Sequence, residues 1–192
     1  MGIKSILFIV SAPSGAGKTS LCREVLAHIP DLHFSISHTT RPPRHNEISG
    51  VDYNFISLEE FQKMIKTNQL VEWTEIYGNF YGTSRISVEE CRDKGTDIIF
   101  DIDPVGARSI KEAYNDSITI FVLPPSHKEL EERLTQRGTD NKAVIKNRLD
   151  KARDEIEQSS WYQYQIVNDD FKDAAGQLKG IIDSERLKRK RK

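Results

Sequence analysis

Ala12-Pro13-Ser14-Gly15-Ala16-Gly17-Lys18-Thr19 have the composition and spacing of a loop that wraps phosphate oxygens. Its glycines let successive backbone N–H groups turn inward. Lys18 would neutralise the β- and γ-phosphates of a nucleoside triphosphate, and Thr19 would offer its hydroxyl to Mg²⁺. One position departs from G-x-x-x-x-G-K-[ST]: Ala12 replaces the first glycine, which is tolerable where φ is negative. An apolar run precedes the loop, and Leu21 and Val25 follow at helical spacing. That strand–loop–helix context separates a phosphate loop from an ordinary glycine-rich turn. The loop specifies a donor and leaves the acceptor open, since switch GTPases, ATPases and small-molecule kinases share it.

The acceptor must be read elsewhere. Ser37-His38-Thr39-Thr40-Arg41-Pro42-Pro43-Arg44 places two guanidinium forks in a proline-stiffened loop, suited to a phosphate monoester. Tyr53 could add a phenolic O–H to the same phosphate or simply cover one face of a strand. Glu72 alternates with Val71 and Trp73 and so faces away from both. A carboxylate there is either a solvated strand residue or an acceptor for two adjacent N–H donors. Guanine presents such a pair on its Watson–Crick edge and adenine does not. Tyr81 and Thr83 add hydroxyl groups after a turn, and Asp101 and Asp103 end an apolar strand at the edge where α/β proteins bind ligands. Arg133 and Arg137 lie four apart and share a helix face.

These residues need a scaffold, and the pattern supplies one. Apolar, β-branched runs at 5–10, 97–102 and 118–123 read as strands buried on both faces, with shorter strands at 34–36 and 164–167. Helices between them imply right-handed crossovers and a five-stranded parallel sheet in an α/β, three-layer fold. Residues 38–95 break the rhythm. Val51, Tyr53 and Phe55 alternate as a strand, and Val71, Trp73, Ile76 and Tyr77 form another before the turn at Gly78-Asn79. Ser57 with Glu60 and Ser87 with Glu90 are capping boxes that predict helices over 57–67 and from 87 to about Gly95. Residues 126–160 break it again: Ser126 with Glu129 opens a helix stopping at Gly138, and a charged helix covers about 142–159. That pair is polar on most sides and reads as a flap.

Composition narrows the classes. The 192 residues carry 28 Lys+Arg and 29 Asp+Glu, a net charge of -1, which argues against a whole-chain nucleic-acid or membrane binder. Cys22 and Cys91 are too few for a disulfide framework, and the five histidines lack zinc-ligand spacing. No apolar run suits a membrane span or a signal peptide, so the expected location is cytoplasmic. The basic tail from Leu187 to Lys192 suits a frayed, solvated helix end better than a nucleic-acid patch.

The blocks A-P-S-G-A-G-K-T (12–19), S-H-T-T-R-P-P-R (37–44), G-V-D-Y-N-F (50–55), V-E-W (71–73), G-N-F-Y-G-T (78–83), D-I-D (101–103), Q-R-G (136–138) and I-V-N-D-D (166–170) stand in the order found in guanylate kinases. The chain strongly resembles that family of P-loop nucleoside monophosphate kinases over nearly all its length. The resemblance implies one domain of three parts: a core (1–37, 96–125, 161–192), a GMP-binding region (38–95) and a lid (126–160). It implies GMP held by Ser37, Arg41, Arg44, Tyr53, Glu72, Tyr81, Thr83 and Asp101. ATP would sit on the phosphate loop with Asn168 and Asp169 near the adenine. Arg137 and Arg148 match the family's lid arginines. With Lys18 and Arg44 they would carry the catalytic charge for ATP + GMP ⇌ ADP + GDP. Val105 stands where the family usually has Gln, and Phe80 where it often has Tyr. Two other readings remain on residues alone, a P-loop kinase of a phosphorylated sugar and a non-catalytic interaction module. The exposed faces of 38–95 and 142–159 suit either solvent or a homo-oligomer contact.

Overall fold

The computed structural model describes residues 5–76, 78–136 and 142–190. Strand β1 (Leu7–Ser11) leads through the phosphate loop into helix α1 (Lys18–His28) and strand β2 (Leu32–Phe34). An inserted unit follows: β3 (His38–Thr39), β4 (Asn54–Phe55), α2 (Leu58–Lys66), β5 (Leu70–Ile76), β6 (Asn79–Ser84) and α3 (Arg85–Asp93). The core resumes with β7 (Asp97–Asp101), α4 (Pro104–Ala113) and β8 (Ile118–Leu123). Helices α5 (His127–Gln136) and α6 (Lys142–Glu157) then precede a 3-10 turn (Gln158–Trp161), β9 (Tyr164–Val167) and α7 (Phe171–Lys190).

Among the described residues the core sheet has five strands in the order β2-β7-β1-β8-β9, all parallel. Alternation along β1 shows why the sheet must be covered on both sides. Phe8 and Val10 pack with Leu21, Val25 and Leu178 of α1 and α7, whereas Leu7 and Ile9 pack with Val88, Ile110 and Tyr162 on the other face. Both faces of β1 are therefore dry, as expected of a central parallel strand. Its carboxyl end lies between β7 and β8, where the chain turns to opposite sides of the sheet, and such a switch point opens a crevice.

The inserted unit is a separate sheet, β4-β3-β6-β5, in which β5 and β6 form an antiparallel hairpin. The capping box at Ser57 is complete: its hydroxyl accepts the Glu60 N–H and the Glu60 carboxylate accepts the Ser57 N–H. Two expectations change here. The alternating strand through Val51 and Tyr53 shrinks to Asn54–Phe55, because the Asp52 carboxylate takes the Ile48 N–H and Gly50, with φ of +80°, turns back to donate to the Tyr53 carbonyl. Helix α3 starts two residues before Ser87, since Ser84 is its N-cap and accepts the Ser87 N–H.

The flap also differs from a polar pair. Leu130 and Leu134, one turn apart on α5, are fully buried with Ala152 of α6, and Ile145 and Leu149 pack beside them. This small core lies against the phosphate loop: a Cβ on Gly15 would stand 3.0 Å from both leucines. Within the described part of the basic tail Leu187, Lys188 and Lys190 are exposed, as a solvated helix end requires, but Arg189 is held. Arg186 and Arg189 both pair with the buried carboxylate of Asp97, which also accepts the Ile6 N–H at 2.8 Å. Asp97 thereby ties the end of α7 to the base of the sheet.

Candidate active site

The phosphate loop is built as its glycines require. Gly15 and Gly17 have φ of +97° and +91°, a conformation open to them for want of a Cβ. Asp31 and Asn68 are the non-glycine residues with positive φ among the described residues, so Ala12 carries no strain in the first glycine's place. Helix α1 begins at Lys18 with no capping side chain, leaving its first N–H groups for an anion. The loop is braced from below. Asn168, buried at the end of β9, donates its amide N–H to the Ala16 carbonyl at 2.7 Å, and its nitrogen would lie 2.4 Å from any Cβ on Gly17. Arg133 in turn donates to the Asn168 carbonyl at 3.1 Å, so this arginine joins α5 to the brace rather than facing solvent.

Lys18 reaches across the sheet edge, with its ammonium 2.6 Å from the Asp101 carboxylate and 2.7 Å from the Ile102 carbonyl. Burial alone would push its pKa down; Asp101, helped by Cys22 and Asp103, more than offsets that, and the net shift is upward, so the group stays charged. Asp103 turns its carboxylate to the Gly106 N–H at 2.7 Å and caps α4.

Facing the loop across a cleft of about 340 Å³ are Ser37, Arg44, Tyr53, Glu72, Tyr81 and Asp101, with Arg148 contributed by α6. Burial raises the Tyr53 phenol, which therefore remains an O–H donor. Arg44 is open to the cleft with 73% of its side chain exposed. Arg41 is placed differently: both ends of its fork are held at 2.9 Å by Glu47, a residue the sequence did not single out, and its guanidinium stacks over Tyr53. Thr83 is buried behind the wall and reaches the cleft through Glu72. Asp169 is exposed beyond the end of β9. Arg137 lies outside the described residues.

Glu72 is the most unusual group. It is 6% exposed, and the Thr83 hydroxyl donates to its Oε1 at 2.6 Å. Burial pushes its pKa from 4.5 up to about 7, against the opposing pull of Thr83 and Lys18. Gly106, at the start of α4, lets the carboxylate come close: a Cβ there would stand 2.7 Å from Oε2. Between pH 4.5 and about 7 the folded protein thus holds a proton that the unfolded chain has released. Stability should fall as pH rises through that window, by ~3 kcal/mol in all. Thermal melts from pH 5 to 8 should show this decline, and Glu72→Gln should flatten it; parallel profiles would refute the shift.

Lys151 and Glu155 of α6 also line the cleft, and sequence reasoning missed both. Their signal was spacing: with Arg148 they fall at i, i+3 and i+7, one helical face.

A loop for phosphates at the switch point, facing a basic loop and a desolvated carboxylate, is the arrangement of a P-loop phosphotransferase that holds donor and acceptor on opposite walls. A family model described as Guanylate kinase matches residues 4–185. The guanylate kinase of Geobacter metallireducens is 49% identical over 185 residues, covering 96% of this chain and 91% of that one. That of Zymomonas mobilis is 46% identical over 98% of this chain and 88% of its own. The crystal structure of guanylate kinase from Anaplasma phagocytophilum superposes with a TM-score of 0.78 at 32% identity, covering 95% of this chain and 86% of that one. The chain belongs to the guanylate kinase family.

Proposed function

We infer that this chain transfers the terminal phosphoryl group of ATP to GMP, giving ADP and GDP, and that it does so in the cytoplasm. One observation carries the choice of acceptor: Glu72, desolvated in the cleft wall with Thr83 as its hydroxyl partner. Its carboxylate suits the adjacent N1–H and N2–H₂ donors of guanine, with Ser37 on the same wall. Adenine would set a lone pair against it, and a sugar phosphate would have no use for it.

The GMP phosphate falls to Arg44, Tyr53 and Tyr81, with Arg41 supporting the subsite from over the Tyr53 ring. Its oxygen is already anionic, so transfer needs no general base. That oxygen attacks the γ-phosphorus in line as the bond to the β,γ-bridging oxygen breaks, and charge stabilisation is the main requirement. Lys18 serves that end, steadied by Asp101, and Arg148 and Arg137 are assigned to the transferring group from the lid. Asn168 fixes the loop, which leaves Asp169 to the adenine side. Thr19 is exposed at the start of α1, and the described residues hold no cluster of three or more metal-ligating side chains. The Thr19 hydroxyl would be the protein's ligand to Mg²⁺, which would supply neutralisation of phosphate charge. The reading requires neither nucleic acid nor a membrane; among the described residues no helix is long and apolar enough to cross one.

The Glu72 site gives a selective prediction. Gly106→Ala should push the carboxylate away from its present position and raise KM for GMP about tenfold, the loss of one charge-assisted contact. KM for ATP should not change, and an equal rise in both constants would place the defect elsewhere. The reaction itself is tested by phosphorus NMR of the chain with ATP, Mg²⁺ and GMP. ADP and GDP should appear in equal amounts with negligible free phosphate; ADP with inorganic phosphate alone would make the chain a hydrolase.

A further inference from the structure

Helix α6 presents two stripes with different tasks. Ile145, Leu149 and Ala152 turn toward α5 and the small lid core. The adjacent stripe, Arg148, Lys151 and Glu155, turns to the cleft that the phosphate loop lines from the other side. Lys151 and Glu155 form an ion pair at 3.7 Å, with side-chain exposures of 50% and 12%.

Among the described residues that pair differs from the other lysine–acid pairs four apart, and its nearest likeness is Lys188–Glu185, three apart, where the sunken carboxylate also accepts the Tyr164 hydroxyl. Lys128–Glu132 and Lys179–Asp183 expose 50% and 45% of their carboxylate side chains, as surface pairs do. Glu155 is instead sunk into the wall, so its desolvation is a cost that a helix-stabilising surface pair would not bear. The order is also the poorer one for helix stability, since lysine precedes the acid. Glu155 lies within electrostatic reach of Lys18 and Asp103, which puts it among the groups that surround the phosphates. Burial raises its pKa and Lys151 pulls it back, so the ammonium is the nearest compensation it has.

We propose that Lys151 is a further cation of the lid that contacts phosphate oxygens during transfer, with Glu155 as the positioning residue that aims it into the cleft. This rests on the assignment of the cleft to ATP and GMP. A flexible lysine with half its surface open needs such a partner, because an unaimed ammonium loses side-chain entropy on binding. Glu155 spends that freedom in advance, and Lys151 then adds charge three residues from Arg148 on the same face.

The test uses the full chain with saturating ATP and Mg²⁺. Lys151→Met should lower kcat about tenfold or more, as the loss of a charge-assisted contact implies, in a protein that still folds but melts somewhat lower because Glu155 loses its partner. Lys151→Arg should recover most of that loss by restoring the charge. Glu155→Gln should lower kcat in the native background and add little in the Lys151→Met background, because a positioning residue has nothing left to aim. Unchanged kcat and KM in Lys151→Met would overturn the contact. An equal effect of Glu155→Gln in both backgrounds would overturn the positioning role. If the unaltered chain formed no GDP, the reading of the cleft would fail first; if it were active while Lys151→Met matched it, only this inference would fail.

Discussion

Glu72→Gln is expected to lower kcat/KM for GMP by about 10³-fold, the scale seen when a site built for specific hydrogen-bond donors loses its match. The substitution keeps the volume of a side chain that is 6% exposed, so it tests charge and hydrogen bonding rather than packing. One carboxylate oxygen becomes an amide that must donate, and it meets a guanine donor head on. The Thr83 hydroxyl, now 2.6 Å from Oε1, keeps an acceptor only if the amide presents its oxygen that way. The preference for GMP over AMP should narrow, because an amide can both donate to and accept from adenine. KM for ATP should hold, since the donor side rests on Lys18 and the loop glycines. A second readout follows from the raised pKa: the ionised carboxylate is the form that guanine needs, so GMP binding should strengthen as pH rises through about 7. Glu72→Gln should remove that component of the profile. A variant that kept both the preference and the native pH profile would show that Glu72 does not read the base.

Lys18→Met should lower kcat by about 10²- to 10³-fold, the range for removing one preorganised charge from a transition state. Met keeps the reach of the side chain and removes the ammonium. The loss also leaves Asp101 without the partner that stands 2.6 Å away, and breaking a largely buried pair costs about 3–5 kcal/mol where no other group compensates. A melting curve therefore accompanies the kinetics, and Lys18→Arg separates the two effects. Arginine keeps the charge beside Asp101, so stability should recover, but its planar fork cannot occupy the point position of an ammonium and the rate should stay low. Near-native turnover in a folded Lys18→Met protein would remove Lys18 from the chemistry.

What could be read from the sequence was what is local. The phosphate loop is contiguous, its flanking strand and helix are adjacent in the chain, and the core strands announce themselves by apolar runs because both of their faces are dry. The box at Ser57 and the Ser126 hydroxyl cap on Glu129 could be read because a cap is decided within four residues. The misses have a common cause, a partner distant in sequence or a competing local bond. Ser84 took the cap of α3 ahead of Ser87, and Asp52 folded the predicted strand through Val51 into a turn. Glu47, which holds both ends of the Arg41 fork, carried no signal in the sequence because the pair forms within a loop of irregular backbone. Leu130 and Leu134 were a visible i, i+4 pair in a charged helix, yet their burial depends on Ala152 and on the phosphate loop. Asn168 became a brace through a bond spanning 152 residues. Glu72 stood between two readings by sequence; its burial, the Thr83 bond and the missing Cβ of Gly106 distinguish it from a solvated strand residue.

The most direct test of the account is a single acceptor panel. The purified chain, ATP and Mg²⁺ are held fixed while GMP, AMP, UMP and ribose 5-phosphate are compared by kcat/KM for nucleoside or sugar diphosphate formation. The account predicts GMP preferred over AMP by about 10³-fold or more, with the sugar phosphate inert, because an acceptor lacking adjacent N–H donors leaves the buried Glu72 carboxylate short of partners. Comparable efficiency with AMP or with ribose 5-phosphate would contradict it.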